Sequence, residues 1–262
     1  MTAAARRSAP RLVHHWPDVE ARIARSRRFA IFFDFDGTLV PFARRPELVR
    51  VPPRTRRILG RLARRKQVRV FVISGRRRAN LQRHLGVDGV SYLGLYGWET
   101  DGVRPELPGT VRDALGEARL WLMTRRHRYP GLWIEDKDLS LSVHLREIPV
   151  RMRPLVRRDL GALSRRLRPA VRLFHNRLDA ELVPHEVSGK GATVTRLLSR
   201  PDLAGALPLY FGNDLSDEPA FAAIREGLAV IVGSSGPTHA HYAIPQQDKL
   251  AETLARIEEA IT

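Results

Sequence analysis

Residues 32–40, Phe32-Phe33-Asp34-Phe35-Asp36-Gly37-Thr38-Leu39-Val40, place two carboxylates two positions apart at the end of an apolar run, with a glycine directly after them. Burial strips an ionised carboxylate of hydration, so acids are rare in apolar strands unless something compensates them. Ala30–Phe33 reads as a buried strand. Gly37 and Thr38 then permit a tight turn, so Asp34 and Asp36 face one small pocket. Two acids this close repel unless a cation intervenes, and with no cysteine in the chain the oxygen ligands point to a hard ion such as Mg2+. With the cation present, one carboxylate can attack an electrophile while the other passes protons. A pair of turn-capping aspartates is the plainer alternative.

Outward from this stretch, short apolar runs alternate with helical patterns. Helices are predicted near Pro53–Arg65, Arg76–Leu85, Lys190–Ser199, Glu218–Glu226 and Gln247–Ala260. Strands are predicted at Val68–Ile73, Tyr92–Leu95, Leu209–Phe211 and Ala229–Val232. Strand-helix alternation with continuously apolar strands implies an α/β, Rossmann-like parallel sheet covered on both faces. In such sheets the active site gathers beyond the carboxyl ends of the strands. Residues 105–184 follow another pattern: a helix near Thr110–Arg128, strands Leu132–Glu135 and Leu139–Leu145, a helix near Val150–Arg168, then strands Val171–His175 and Ala180–Val183. This reads as a small inserted α+β cap. The expected organisation is a basic N-terminal extension (1–28), a core built from 29–104 and 185–262, and the cap between them, with Pro105, Pro108 and Pro184 as hinges.

The 262-residue chain has a net charge of +17, almost all from arginine, since only Lys66, Lys137, Lys190 and Lys249 are lysines. Such a balance can mark an anionic partner. The charge is nevertheless spread over nearly every predicted helix, as at Arg56-Arg57, Arg125-Arg126 and Arg165-Arg166, which suits solvated faces. A nucleic-acid reader should concentrate it in a stripe with base-reading aromatics; none is visible, and no nucleic-acid partner is expected. The chain lacks disulfides, and no apolar stretch approaches the roughly 18–20 residues of a membrane helix. Its first residues are basic without an apolar signal core, so no membrane partner and a cytoplasmic location are expected. His239 and His241 would need a third partner to form a metal site.

Three further segments sit where they would meet the two acids. Ile73-Ser74-Gly75-Arg76 ends a strand with a hydroxyl and backbone N–H groups at a helix start, a ready anion site. Ser188-Gly189-Lys190-Gly191 opens another helix with a lysine suited to a phosphate as a point charge. Gly212-Asn213-Asp214-Leu215-Ser216-Asp217-Glu218 follows a strand with clustered oxygen ligands, more than a helix cap needs.

In this order, each after a predicted strand, the four segments resemble the haloacid dehalogenase (HAD) superfamily. DFDGTLVPFARRPE, GLYGWE, IEDKDLSLSVHLR, AELVPHEVSGKG and YFGNDLSDEPAF are similar to the trehalose-6-phosphate phosphatase family, over roughly Phe29 to Gly233. The resemblance implies a HAD core with a cap, and hydrolysis of trehalose 6-phosphate through a phosphoaspartate. Asp34 would be the nucleophile and Asp36 the general acid and base; Ser74 and Lys190 would hold phosphate oxygens. Asp34, the Asp36 carbonyl and the cluster Asn213, Asp214 and Asp217 would hold Mg2+. Arg76, Glu135, Lys137, Ser140 and Glu181 would contact substrate, with His144 and Arg146 near them. A trehalose-6-phosphate synthase would be a functional neighbour.

Two segments depart from the family pattern. Asn213 stands where the family usually has aspartate, which implies weaker Mg2+ binding. Tyr96 and Trp98 add aromatics to the GLYG segment, where they could stack on a sugar, narrow the pocket or pack in the core. The alternatives are the same chemistry on another sugar or polyol phosphate, or a catalytically weak sugar-phosphate-binding module.

Overall fold

The computed structural model describes residues 7–43, 45–102, 105–233 and 236–261. The chain divides into two compact units, Met1–Val103 with Ser188–Thr262, and Arg104–Val187. The expected boundary at residue 104 lies outside the described residues. Pro184 is the last residue of a strand of the second unit.

The first unit begins with β1 (Arg7–Ser8), α1 (Trp16–Ala24), β2 (Phe29–Phe33), α2 (Pro53–Arg64), β3 (Val68–Ile73), α3 (Arg78–Leu85) and β4 (Val90–Leu93). The second unit holds α4 (Gly109–Arg125), β5 (Trp133–Asp136), β6 (Leu141–His144), α5 (Arg153–Arg166), β7 (Val171–His175) and β8 (Asp179–Pro184). The first unit resumes with α6 (Lys190–Leu198), β9 (Leu207–Gly212), α7 (Glu218–Ala223), β10 (Leu228–Val232), β11 (Pro237–Thr238), β12 (Tyr242–Ile244) and α8 (Leu250–Ala260).

Six strands of the first unit form a sheet in the order β12-β10-β9-β2-β3-β4, parallel throughout. β2 is buried along its whole length, and its side chains alternate between two apolar cores. Ile31 and Phe33 join Val70, Val72, Leu209, Phe211 and the apolar stripes of α2 and α8 on one face. Ala30 and Phe32 join Phe71, Tyr210, Ile231 and residues of α6 and α7 on the other. The chain leaves β2 for β3 and β4 on one side and later fills β9, β10 and β12 on the other, so the strand order reverses at β2. That reversal opens a crevice at the carboxyl ends.

The arginines of α2 behave as solvated-face charges: Thr55, Ile58, Leu59 and Leu62 face the core, while Arg54, Arg56, Arg57, Arg61 and Arg64 are exposed. The segment expected as a separate basic extension is instead part of the unit. Leu12, Trp16, Val19 and Ile23 belong to its core, and β1 pairs with β11.

In the second unit an antiparallel sheet, β5-β6-β8-β7, packs one face on α4 and α5 through Leu141, Val143, Ala180 and Leu182. Cross-strand register places Glu135 opposite Ser142, and Ser142 opposite Glu181, on the other face. β6 is shorter than the predicted Leu139–Leu145, running from Leu141 to His144; residues 137–140 form the turn from β5, with Asp138 at a φ of +64° and the Lys137 N–H donating to the Ser140 carbonyl at 3.0 Å. β4 ends at Leu93 rather than Leu95, where the backbone enters a 3-10 turn over Leu95–Gly97. The three-residue β12 has no sequence signal of its own.

Candidate active site

The carboxyl ends of β2, β3 and β9 and the start of α6 bring the four motifs together within the first unit. The Asp34 N–H donates to the Phe211 carbonyl at 2.8 Å, extending the β2–β9 pairing by one residue before the turn begins. Gly37 makes this turn possible. Its φ is +86°, and a Cβ there would stand 2.5 Å from the Phe42 ring and closer still to the Asn213 amide.

Lys190, the first residue of α6, is buried and donates from Nζ to Asp34 Oδ1 at 2.6 Å and Asp217 Oδ1 at 2.7 Å. The Tyr210 hydroxyl also donates to Asp217 Oδ1, at 2.7 Å. Asp217 Oδ2 accepts the backbone N–H groups of Asn213 and Asp214 at 2.9 and 3.0 Å. Both oxygens of Asp217 are therefore engaged in fixing Lys190 and the loop after β9. Asp214 caps the following turn, accepting from the Leu215 N–H at 2.6 Å.

Burial is the largest influence on Asp34 and pushes its pKa up to about 8, against the pull of Lys190; Asp217 and Asp36 push the same way. Burial opposes the charge on Lys190, yet Asp217 and Asp34 hold its ammonium above the ordinary lysine range. Burial, followed by Asp217 and Asp34, also raises the Tyr210 hydroxyl well above its usual value, so it remains a donor.

One end of the Asn213 side-chain amide lies 3.0 Å from Asp34 Oδ2, 3.1 Å from the Asp36 carbonyl oxygen and 3.3 Å from Thr38 Oγ1. With nitrogen at this end, the two N–H groups of the amide are shared among these three acceptors. With oxygen there, it accepts from the Thr38 hydroxyl and meets two further oxygens at about 3 Å, close to the spacing of neighbouring ligands around an octahedral ion with bonds of about 2.0–2.1 Å. This donor set fits a small hard dication: one carboxylate, one backbone carbonyl and one neutral amide. Among the described residues, no three His, Asp or Glu side chains form a metal cluster.

Asp36 sends its side chain the other way. Arg76 Nε and Nη2 donate to its two oxygens at 2.6 and 2.7 Å. Ser74 is buried, and its hydroxyl accepts from the Arg76 N–H at 3.2 Å. The turn carrying Ser74 and Arg76 is held by the GLYG segment: Tyr96 N donates to the Ser74 carbonyl at 2.8 Å and Leu95 N to the Arg76 carbonyl at 2.9 Å. Leu95 and Tyr96 both take positive φ to do so, a conformation that costs non-glycine residues of order 1–3 kcal/mol. Tyr96 is buried and Trp98 half-buried.

Sequence reasoning missed three supporting residues. Thr193 Oγ1 donates to the Tyr96 carbonyl at 2.8 Å, Glu99 accepts from the Arg78 N–H and from Arg77, and Tyr210 secures Asp217. Glu99 and Tyr210 carried a signal, as parts of GLYGWE and YFGNDLSDEPAF; Thr193 carried none.

In the second unit, Glu181 Oε1 accepts from Ser140 Oγ at 2.6 Å and from Lys137 Nζ at 3.1 Å. Glu135 Oε2 lies 2.9 Å from His144 Nε2, and the His144 ring stacks on Trp133 at 4.0 Å. Burial would lower the Lys137 pKa, but Glu181, Glu135 and Asp179 together hold it above its ordinary value.

A parallel sheet with its acids beyond the carboxyl end of the central strand, and an antiparallel unit in the chain between β4 and α6, make a fold shared with a haloacid dehalogenase-like hydrolase from Bacteroides thetaiotaomicron, with a TM-score of 0.60 at 18% identity, covering 88% of this chain and 99% of that one. Residues 32–250 match the trehalose-phosphatase family, and the chain belongs to it. It is 28% identical to a trehalose-phosphate phosphatase of Mycobacterium ulcerans over 253 residues, 90% of this chain and 63% of that protein. It is 33% identical over 226 residues to an uncharacterized glycosyl hydrolase of Mycobacterium tuberculosis, 80% of this chain and 16% of that protein. The chain thus spans less than two thirds of these relatives. The C-terminal domain of Candida albicans trehalose-6-phosphate phosphatase shares the fold, with a TM-score of 0.79 at 23% identity, covering 96% of this chain and 98% of that one. A trehalose-6-phosphate phosphatase related protein superposes with a TM-score of 0.68 at 26% identity, covering 88% and 97%. Among the described residues, no helix is long and apolar enough to cross a membrane.

Proposed function

We propose that this chain hydrolyses trehalose 6-phosphate to trehalose and phosphate through a phosphoaspartate on Asp34. The observation that carries the reading is the setting of Asp34, with one oxygen on Lys190 and the other facing the Asn213 amide beside the Asp36 carbonyl. An Asp34 oxygen attacks phosphorus, and the P–O bond to the sugar breaks. The electron pair stays on the sugar oxygen, which takes a proton from Asp36. Water then attacks the phosphoaspartate and gives Asp36 a proton, and the P–O bond to Asp34 breaks to restore the carboxylate. Each ester and water thus yield one alcohol and one phosphate.

Lys190 and the Ser74 hydroxyl supply donors for phosphate oxygens. Asp34, the Asp36 carbonyl and Asn213 would hold Mg2+, whose chemistry there is neutralisation of phosphoryl charge. Asp217, with both oxygens engaged, orients Lys190 and the Asn213 loop, and Asp214 caps that loop. Glu135, Lys137, Ser140 and Glu181 offer acceptors and donors matched to sugar hydroxyls, and a site built on hydroxyls strongly rejects analogues that lack them. A cytoplasmic enzyme acting after a synthase of the sugar phosphate completes the reading.

The test is phosphate release from trehalose 6-phosphate, glucose 6-phosphate, sucrose 6-phosphate and glucosylglycerol phosphate across a Mg2+ series, with Asp34→Asn as control. Preference for trehalose 6-phosphate, abolished in the control, is expected. Preference for another ester would keep the chemistry and remove the substrate, and turnover that persists in Asp34→Asn would remove the nucleophile.

A further inference from the structure

We infer that Arg76 is a positioning residue for Asp36 rather than a phosphate ligand; the inference rests on the phosphatase reading above. Arg76 lies in the turn between β3 and α3. Its Nε and Nη2 grip the two Asp36 oxygens at 2.6 and 2.7 Å, while Nη1 donates to the Pro46 carbonyl at 2.9 Å and to Asn80 Oδ1 at 2.8 Å. Four of its five N–H groups thus meet protein acceptors. The side chain is only 8% exposed, and the guanidinium sits 5.2 Å from the Phe35 ring centroid. Little of this group is left for a substrate phosphate.

The geometry answers a problem created by the turn. Asp36 has its backbone carbonyl 3.1 Å from the Asn213 amide, on the cation side, while its side chain must be held elsewhere at a defined angle to exchange protons with the ester oxygen. A two-pronged guanidinium fixes both the rotamer and the plane of a carboxylate, which a lysine ammonium cannot do. Pro46 and Asn80 in turn fix the guanidinium. The strand-to-helix turn and the segment before α2 therefore both bear on the proton-transfer group.

Proton transfer to the leaving group matters greatly for a sugar alkoxide and little for nitrophenolate, which departs as a stable anion. The test measures kcat and KM for the best sugar phosphate and for p-nitrophenyl phosphate, in wild type, Arg76→Lys, Asn80→Ala, Asp36→Asn and the Asp36→Asn/Arg76→Lys double variant. General acid–base groups contribute roughly 10²–10⁴-fold. Arg76→Lys is expected to lower kcat/KM on the sugar ester by about 10²-fold and on p-nitrophenyl phosphate far less, because kcat/KM reports departure of the leaving group and not the Asp36-assisted hydrolysis that both esters share. Asn80→Ala shifts the same ratio in the same direction by a smaller factor, and Arg76→Lys adds no further shift once Asp36 is asparagine. Both esters are read on one preparation, so a reduced folded fraction cancels from the ratio; Asn80→Ala carries the test if Arg76→Lys does not fold. A rise in KM for both esters with kcat retained would make Arg76 a phosphate ligand, and equal losses of kcat/KM on both without that KM rise would make its role merely structural; either result overturns the proposal. A wild type without turnover of either ester overturns the phosphatase reading itself.

Discussion

The Asn213 amide stands 3.0 Å from Asp34 Oδ2, so a neutral group rather than a second acid meets the outer oxygen of the candidate nucleophile. Donated hydrogen bonds from that amide stabilise the metal-free arrangement, and they must be given up when the carbonyl end turns toward a cation. Asn213→Asp should therefore destabilise the protein in EDTA, by about 1–3 kcal/mol for the lost buried donor. It should also bind Mg2+ at least about tenfold more tightly, roughly 1.4 kcal/mol. Titration calorimetry and thermal unfolding with and without Mg2+ measure both effects; equal or weaker Mg2+ binding would remove this account of Asn213.

Lys190 pairs with two buried acids, Asp34 and Asp217. Breaking such a group by removing one partner strands the others, typically at about 3–5 kcal/mol. Lys190→Met should lose stability on that scale, measured by urea unfolding. Adding Asp217→Asn should cost less than the sum of the two single changes, because the stranded charge is then smaller. Strict additivity would show that the three groups are not coupled.

The first helix is structural. Trp16 is buried, joins the core of the first unit and lies under the Arg256 guanidinium, 4.1 Å from its ring centroid. Trp16→Ala should cost about 3–5 kcal/mol, and a chain starting at residue 25 should unfold at a markedly lower temperature. A truncation with unchanged thermal unfolding would mean that α1 is an appendage.

Glu181 ties Ser140 and Lys137 together in the second unit. If this cluster reads sugar hydroxyls, Glu181→Gln should raise KM for the sugar ester by roughly tenfold or more, since a hydrogen bond to a charged group is worth about 1.5–3 kcal/mol. The KM for p-nitrophenyl phosphate, which has no sugar, should hold. Parallel changes in both would assign Glu181 to the fold of its sheet alone.

His241 links pH to stability. Its Nδ1 lies 3.0 Å from the Gly227 carbonyl oxygen, and burial lowers its pKa below the usual value. Below about pH 6.5 the unfolded chain takes up a proton that the folded chain resists. The stability contributed by the neutral ring is thus present above that pH and lost as pH falls through the lower native pKa. The fall in unfolding temperature from about pH 7 to pH 5 should be shallower in His241→Asn; an unchanged slope would clear His241 of this role.

The sequence by itself determined the parallel sheet and the position of its acids, because these depend on local signals. An apolar run that ends in Asp34 and Asp36 before Gly37 is read within nine residues, and a buried strand needs no distant partner to be recognised. The antiparallel pairs of the second unit were legible for the same reason, in the alternation of their strands. What only the tertiary structure decided is which atoms face each other. Asp217 read as a metal ligand from its neighbours in sequence, yet Lys190, Tyr210 and two backbone N–H groups engage both its oxygens. Arg76 read as a substrate contact, yet it lies against Asp36, forty residues away. The N-terminal segment read as an extension because arginine dominates it, while its packing rests on Leu12, Trp16, Val19 and Ile23, whose spacing alone named no partner. Composition and period report what a segment can bury; the choice of partner is made by side chains that the fold brings together from distant parts of the chain, where the hydrogen-bonding demand of each buried group must be met at once.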